Sequence, residues 1–573
     1  MKNIFTLLLI LFLMTNIVYS QNWETLGGNP QRSGVSKLTG PATANLYWTV
    51  NSTNSTTWGN NIYTFGDKFV NSRVILSPYT SKVELRNLTN GALIWAVQVT
   101  DSSIMYAVGF NEDAVYANDY KTSMLYALRI SDGGVKWSVP SSMFGGNAGI
   151  QFAPDGDVII YGKRIDKKSG QVKWTNNYII PIGPDDSYCL YGNTYYHWTG
   201  SIVTPKTLIA IDLTTGLTKY TSSTIPGGAG QQNPLKLGPN GIIYITRDAG
   251  NLFAYQDNGT GFTELWDISP GFIVKGFSND GKIYTASPTG RLVRLNAANG
   301  QALDSTADAY AANFYSATTT GADSTVYFNT GETGTGRYIA FTPNLQTTKW
   351  TFNAAYNYYS RPSLGKEGVL VMVGAGTTIT AYKTALTNLK PVVDFYADSN
   401  VIYQGSAIDF FDQSSYIPTS WQWTFTGSNT PTSTQHNPTN IVYPAAGTYD
   451  VKLIATNSFG QDTLIRAGYI VVKPFIGIKH EGKGIADRFV LYQNYPNPFN
   501  PKTNIKYNIP STGFVTMKIF DVFGKEIAIL VNETQNEGSY IVEWDATNYP
   551  SGVYFYRLIT KGFSDVKKLI LLK

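Results

Sequence analysis

The sequence predicts an all-β chain of several domains. Three observations carry this: a composition suited to short strands and tight turns, a degenerate repeat of about 40 residues through the first two-thirds of the chain, and two later segments in which apolar and polar residues alternate. Of the 573 residues 14% are charged and 14% aromatic, with 39 Tyr, 12 Trp and 54 Gly. Aromatic side chains half-buried on pleated strands and glycines in turns produce such a profile, and a helical bundle does not. The chain is too long for one hydrophobic core. A net charge of +5 with no run of Lys and Arg leaves nothing to track a phosphate backbone, and no nucleic-acid partner is expected.

Lys2 gives a positive start, Ile4 to Met14 is an apolar run, and Val18-Tyr19-Ser20 supplies a cleavage site. Residues 1–20 therefore read as a signal peptide, leaving Gln21 first. The run is shorter than the ~20 apolar residues a membrane span needs, no later segment reaches that length, and the mature chain is expected to carry no transmembrane segment. Cys189 is the single cysteine. That excludes an intramolecular disulfide, leaves stability to burial and strand pairing, and makes Cys189 a buried thiol.

The repeat runs through a Gly-containing turn, a Val-Tyr strand, a strand with an aliphatic-Leu ending, a Gly turn and a strand ending in Trp. Asn71 to Val99 shows it, with Val74-Ile75-Leu76, Val83-Glu84-Leu85, Asn90-Gly91 and Trp95. Copies follow at Asp113 to Val139 (Trp137), Gly156 to Tyr178 (Trp174), Ser187 to Ser222 (Tyr220 in place of Trp), Asn240 to Ser269 (Trp266), Asp280 to Asp304 (no terminal Trp) and Asp323 to Asn353 (Trp350). Asn-Gly and Asp-Gly suggest type I′ hairpin turns, alternation gives each strand one buried face, and the Trp fills the gap to a neighbouring sheet. Two fragments remain: Glu367 to Lys383 lacks a Trp strand, and Leu46-Tyr47-Trp48-Thr49-Val50 is a Trp strand without its beginning. Joined, they make one more sheet and close a ring without exposed edges. Residues 21–385 are thus expected to form an eight-bladed β-propeller, with seven blades as the alternative.

The pattern Val115-Tyr116, Leu125-Tyr126-Ala127-Leu128, Gly133, Trp137 and the opening Trp23, Gly28, Asn29, Arg32-Ser33-Gly34 resemble the pyrroloquinoline-quinone-like repeat propellers, over most of residues 22 to 385. Several members of that superfamily are quinone-dependent dehydrogenases. The resemblance implies for those a calcium site of Glu, Asn and Asp around the cofactor, often with a vicinal disulfide beneath it. One Cys cannot make that disulfide and no carboxylates here match the calcium ligands, so neither cofactor nor metal is expected.

His197, His436 and His480 fall in three regions and suggest neither a metal site nor a Ser-His-Asp set. Ser131 to Trp137 is one residue off the Asp-box of sialidases and reads as a hairpin turn; Asp185-Asp186 reads as a solvated pair in a Gly-Pro turn. No catalytic residue is assigned. The loops from each Trp strand into the next blade carry Tyr106, Phe144, Tyr188, Phe272, Phe314, Tyr315, Tyr356, Tyr358, Tyr359 and Arg361. Aromatic faces beside polar groups stack on sugar rings or grip peptides. Tyr356, Tyr358, Tyr359, Arg361, Phe314 and Tyr315 are the candidate ligand-binding residues, for an extracellular glycan or protein. The competing reading is an extracellular enzyme, acting on polysaccharide or as a quinoprotein-like dehydrogenase, with its site in the propeller mouth.

Beyond residue 385 the pattern changes. Val393-Asp394-Phe395, Ile408 to Asp412, Trp421-Gln422-Trp423-Thr424-Phe425, Asn437-Pro438, Tyr443, Ala446 to Val451 and Ala455 to Gly460 resemble a PKD domain, an immunoglobulin-like sandwich, within residues 386–473. Phe425-Thr426-Gly427 departs from the Phe-Gly-Asp-Gly of many members. Trp423 and Phe425 alternate into a two-sheet core, and Trp421 belongs to the core or contacts polysaccharide. Such domains serve as spacers or weak binding modules. Residues 474–487 read as a mobile linker. Leu491 to Asn494, Tyr495, Pro496, Asn497, Pro498, Phe499, Asn500 and Pro501, with Thr503, Ile505, Tyr507, Val515 to Asp521, Gly524, Gly538, Trp544-Asp545, Gly552, Tyr554 and Lys567 to Ile570, resemble the type A sorting domain of type IX secretion, over residues 488–573. The resemblance implies a second sandwich, passage through the periplasm, a translocon and a sorting protease as partners, and release or attachment at the cell surface.

Overall fold

The computed structural model describes residues 28–573 apart from 30–32, 53–55, 59–60, 78, 142–148, 177–187, 199–206, 226–234, 239, 247–250, 270–271, 311–316, 331–335, 355–360, 374–377, 385–387, 474–477, 481–487 and 548. It divides into two compact units: residues up to 396 with 412–421 and 453–464, and residues 397–411, 422–452 and 465–573. The division runs through the PKD sandwich.

Among its described residues the first unit holds eight antiparallel sheets, each four strands deep. We number them as blades 1 to 8 in chain order from Thr56. Blade 2 is typical, with Met105–Phe110 innermost, then Val115–Asp119, Met124–Leu128 and Val135–Pro140 outermost. In blade 1 the inner strand is split into Thr56–Trp58 and Tyr63–Phe65, both paired to Lys68–Leu76. Blade 8 takes three strands from the end of the propeller, Ser363–Gly365, Val369–Val373 and Thr378–Tyr382, and its outer strand, Leu46–Asn51, from the beginning. Apolar clusters join each blade to the next. Val83 and Trp95 of blade 1 pack with Phe110 and Val115 of blade 2, further clusters follow between successive blades, and Val369 and Ile379 of blade 8 pack with Phe69 of blade 1. The ring is closed.

Every outer strand skips one residue in its pairing, at Tyr47, Ile94, Lys136, Lys173, Lys219, Leu265, Leu303 and Lys349. Such a bulge re-aims the residue that follows it, here the Trp. Five indoles then donate to a backbone carbonyl of the next blade, Trp48 to Leu88 (2.9 Å), Trp95 to Ile130 (2.8 Å), Trp137 to Lys167 (2.9 Å), Trp174 to Leu213 (3.0 Å) and Trp266 to Ala297 (2.9 Å), and Trp350 donates to Pro41 (3.0 Å), just ahead of the outer strand of blade 8. The receiving turn offers its glycine to the ring: a Cβ on Gly91, Gly170 or Gly300 would lie 3.0 Å or less from Trp48, Trp137 or Trp266. Where the repeat lacks its Trp, the partner changes too. Tyr220 donates to the Asp257 carboxylate, which also accepts from Tyr196. In blade 6 Asp304 stands at the Trp position, ion-paired with Arg294, and the facing turn of blade 7 has no glycine but a buried Leu345.

These turns differ from the type I′ hairpins that Asn-Gly and Asp-Gly suggest. Type I′ needs positive φ at both central residues; here the glycine alone has it, +72° at Gly91 and +74° at Gly133. Gly133 N bonds to Arg129 O, four residues back, at 2.9 Å. In most copies an Asp or Asn four residues before the glycine caps the turn: Asp166 Oδ1 accepts from the Lys168 and Ser169 amides, and Asp212 Oδ1 from those of Thr214 and Thr215.

In the PKD sandwich Trp423 and Phe425 are fully buried and stacked, ring centroids 5.7 Å apart, with Phe410 against both. Trp421 is half-buried. The C-terminal sandwich has two four-stranded sheets. One is ordered Ile478–His480, Gly538–Asp545, Lys502–Ile509, Val490–Leu491, and the other Glu526–Gln535, Gly513–Phe520, Gly552–Thr560, Phe563–Leu571. Ile505, Tyr507, Val515, Met517, Ile519, Tyr556 and Leu558 alternate into its core. Ile478–His480 lies inside the stretch expected as a linker, yet pairs with Tyr540–Val542; the sheet takes an edge strand from residues too few and too polar to show a period of their own.

Gly170→Ala puts a methyl 2.8 Å from Trp137 at φ +72°, whereas Gly281→Ala, at φ +77°, meets nothing within 4 Å. Thermal and denaturant melts of the propeller are expected to show a loss of roughly 2–5 kcal/mol for Gly170→Ala and roughly 1–2 kcal/mol for Gly281→Ala.

Candidate functional site

A strand pairs along its length on both edges unless it is the last in its sheet, so the free edge of each inner strand faces the propeller axis. The buried polar residues there are Thr64 of blade 1, Gln151 of blade 3, Lys236 of blade 5, Lys275 of blade 6, Thr318, Thr319 and Thr320 of blade 7 and Ser363 of blade 8. None of the described inner-strand residues is Asp or Glu.

The segment before the first strand enters this lumen. Val35 bridges Thr320 in parallel. Thr320 N donates to Gly34 O (2.7 Å), Ser36 N to Thr320 O (2.9 Å) and Phe277 N to Ser33 O (3.1 Å), so residues 33–36 lie along the free edge of blade 7, beside blade 6. Gly34 is obligatory here: φ is +71° and a Cβ would run into the Thr318 carbonyl. Asn29 and Ser33 are buried and hydrogen-bonded to each other, and Leu38 sits in the cluster between blades 7 and 8.

Two lysines on this wall escaped the sequence reading. Lys275 is fully buried at the irregular pairing between Val274 and Gly276, and Lys236 is 3% exposed. Burial first, then the charges of Lys236 and Arg361, push the Lys275 ammonium well below its ordinary range. The available signal was a lysine inside short apolar runs, Pro234-Leu235-Lys236-Leu237 and Ile273-Val274-Lys275-Gly276-Phe277, where a solvated charge does not belong.

Of the candidate ligand-binding residues Arg361 is described, half-buried just ahead of the inner strand of blade 8; Tyr356, Tyr358, Tyr359, Phe314 and Tyr315 lie outside the described residues, as do Phe144, Asp185 and Asp186. Tyr106 and Tyr188 are on inner strands and not in loops. Tyr188 is fully buried and its hydroxyl donates to Gly149 O (2.7 Å); Tyr106 meets the Tyr79 hydroxyl at 2.9 Å. Phe272 lines an open cleft of about 590 Å³ on blade 6 with Arg291, Leu303, Asp304 and Gln346. Cys189 is buried between blades 4 and 5. His197 is blade packing: buried, stacked on Tyr195 (centroids 6.3 Å), and among the described residues its Nδ1 has no hydrogen-bond partner.

Two residues of the sorting motif, Asn497 and Phe499, hold the last strand. Asn497 Oδ1 accepts from Ile570 N (2.9 Å) and its Nδ2 donates to Lys568 O (3.3 Å). Phe499 is buried and bridges Leu571 in parallel, with Phe499 N donating to Ile570 O (2.9 Å). Thr503 Oγ1 donates to Pro496 O (2.7 Å), and Tyr554, buried, donates to Pro550 O (2.7 Å). Gly524 makes a turn at φ +80° with nothing near its open side. Two large aromatic side chains are strongly exposed: Tyr495 at 81% and Phe523, beside Gly524, at 93%.

Residues 493–572 match the secretion system C-terminal sorting domain, and residues 393–466 the PKD domain. No curated protein matches the chain. Among solved structures, BamB from Moraxella catarrhalis is 18% identical over 59% of this chain and 86% of that one, with a TM-score of 0.34. A europium-containing methanol dehydrogenase is 12% identical over 63% and 98%, with a TM-score of 0.47, and the Dos1 propeller is 10% identical over 59% and 95%, with a TM-score of 0.38. Likenesses this distant carry no argument, and the propeller rests on its own strand pairing. Among the described residues no helix is long and apolar enough to cross a membrane.

Burial holds the His197 imidazole down from 6.5 to about 4. The unfolded chain therefore binds a proton between those values that the folded one does not, and stability falls as pH drops from 6.5 toward 4, by up to about 1.4 kcal/mol per pH unit. Melts of the wild type are expected to lose ground to His197→Phe across that window; parallel pH profiles would show that His197 titrates normally. In the C-terminal sandwich Asn497→Ala leaves the Ile570 amide without its partner, and its unfolding transition is expected to weaken by about 1–3 kcal/mol.

Proposed function

We propose that this protein, which its sorting domain directs through type IX secretion to the cell surface or the extracellular space, is a recognition protein there. The propeller is the binding module, the PKD sandwich the spacer, and the C-terminal sandwich the address that the secretion machinery reads; a translocon and a sorting protease are its partners in transit. The observation that supports binding is the lumen wall. The gaps between blades are filled with apolar and aromatic side chains, yet the inner edges keep Gln151, Lys236, Lys275 and Thr318, beside Thr319 and Thr320 whose hydroxyls donate to Pro362 O and Phe277 O. A fold that only needed a core would place apolar residues there, and groups able to orient a ligand are what a binding pocket adds. The loops carrying Tyr356, Tyr358, Tyr359 and Arg361 follow blade 7 and lead into the inner strand of blade 8, which makes them the candidate rim for an extracellular glycan or protein.

A chain ending before Leu491 is expected to stay inside the producing cell; finding it outside in normal amount would remove the sorting role. A glycan and protein array probed with the mature chain is expected to give ligands that a variant with Tyr356, Tyr358, Tyr359 and Arg361 all replaced by Ala binds at least about tenfold more weakly. Unchanged binding would move the site elsewhere, and turnover in a parallel hydrolase and dehydrogenase screen would place the protein among extracellular enzymes.

A further inference from the structure

At blade 6 both halves of the repeated contact are replaced. Asp304 stands where other blades carry the indole, and the facing turn of blade 7 has a buried Leu345 and no glycine. The outer strand, Ala302–Ser305, is also short: four residues between neighbours of seven, Phe262–Ile268 in blade 5 and Thr348–Ala354 in blade 7. With no indole on this strand, a cleft of about 590 Å³ lies along it, a volume in the range of small-ligand sites.

The groups that line the cleft are held by contacts of their own. Phe272 packs on the apolar cluster between blades 5 and 6. The turn carrying Ser287, Thr289 and Arg291 is closed by Ser287 N donating to Arg291 O (2.9 Å) and Gly290 N to Ser287 O (2.9 Å), and Tyr310 N ties it to the chain beyond the outer strand by donating to Gly290 O (2.7 Å). Gln346 reaches over from blade 7, its Nε2 donating to Ser305 O (2.8 Å). Asp304 is neutralised by Arg294. The charge left over in the lining is that of Arg291, which is exposed; its amide donates to Ser287 Oγ (3.2 Å), and among the described residues its guanidinium makes no hydrogen bond or ion pair.

A guanidinium offers a planar fork to the two oxygens of a carboxylate. An aromatic ring packs on the apolar face of a sugar, and hydroxyls and an amide around it answer the sugar hydroxyls. An extended peptide finds less here, since it gains affinity by adding a strand to a free edge, and this edge is four residues long and interrupted at Leu303, which has no opposite residue. We propose that the blade 6 cleft is a second ligand site, independent of the lumen and its rim, that takes a uronate residue of an acidic saccharide, with Arg291 on the carboxylate, Phe272 against the sugar ring, and Ser287, Thr289 and Gln346 on its hydroxyls.

The test is titration calorimetry on the full mature chain at low salt, with tri-galacturonate, its neutral galactose counterpart and tri-glutamate as probes. Tri-galacturonate is expected to bind and to weaken as salt rises, and the other two to bind at least about tenfold more weakly. Arg291→Gln and Phe272→Leu are each expected to reduce tri-galacturonate affinity at least about tenfold; Arg291 is exposed, so Arg291→Gln keeps the test open should Phe272→Leu fail to fold. The variant with Tyr356, Tyr358, Tyr359 and Arg361 all replaced by Ala is expected to bind tri-galacturonate as the wild type does. The proposal is overturned if tri-galacturonate does not bind, if Arg291→Gln binds it as tightly as the wild type, or if tri-glutamate binds equally well. Binding lost in the four-alanine variant and kept in Arg291→Gln overturns the cleft and leaves the recognition reading standing, whereas the converse supports the cleft whatever the rim does.

Discussion

The propeller depends on one contact repeated around a ring: an indole on the outer strand of one blade, pressed on the turn of the next. The indole needs a bulge before it to face sideways, a carbonyl to accept its N–H, and a glycine with no Cβ to let the ring approach. These requirements lie in different blades, so the repeat is a chain of complementary pairs more than a set of equal units. Blade 6 shows this best. It lacks the Trp, and the turn it faces lacks the glycine, with the Arg294–Asp304 pair on one side and Leu345 on the other. Losing one half of the pair without the other would leave either a cavity or a clash.

Much of this architecture was legible. The spacing of Trp residues located the outer strands, and the two incomplete fragments at the ends of the repeat named the strands that close the ring. Alternation placed Trp423 and Phe425 in the PKD core and the apolar residues of the last sandwich in theirs. The turn chemistry was misread because Asn-Gly and Asp-Gly are the usual marks of a two-residue hairpin, while the controlling residue is the Asp or Asn four positions earlier, whose side-chain oxygen caps the turn at a distance local dipeptides do not reveal. The bulges were invisible, since a skipped residue such as Lys136 or Leu303 looks like any other member of an alternating strand. Cys189 was legible as a buried thiol, being the single cysteine of the chain.

The site was less legible than the scaffold, and for a physical reason. Strand periodicity reports which face of a sheet is buried, but a propeller lumen is formed by edges, and an edge has no period. Lys236 and Lys275 sit among apolar neighbours that carry the pattern of an ordinary inner strand. Only the pairing of the sheets puts Lys236 and Lys275 on the inner strands of their blades. Residues 33–36 are a similar case: a glycine and small polar residues ahead of the first strand look like a loop and prove to bridge the inner strand of blade 7 at Val35. In the C-terminal sandwich the reverse holds. The motif that is easiest to find includes internal carpentry, with Asn497 and Phe499 fastening the last strand, while Tyr495 and, in a separate turn, Phe523 are strongly exposed.

The seam of the ring is made from strands more than three hundred residues apart, Leu46–Asn51 against Thr378–Tyr382. Until both are present the remaining blades form an open arc with a raw edge at one flank, and the entropy of bringing such distant segments together is met only by the last hydrogen bonds to form. An emerging polypeptide can therefore fold its blades one by one but cannot lock them, and the molecule becomes resistant to unravelling in a single late step, after nearly four hundred residues have been delivered to the same compartment.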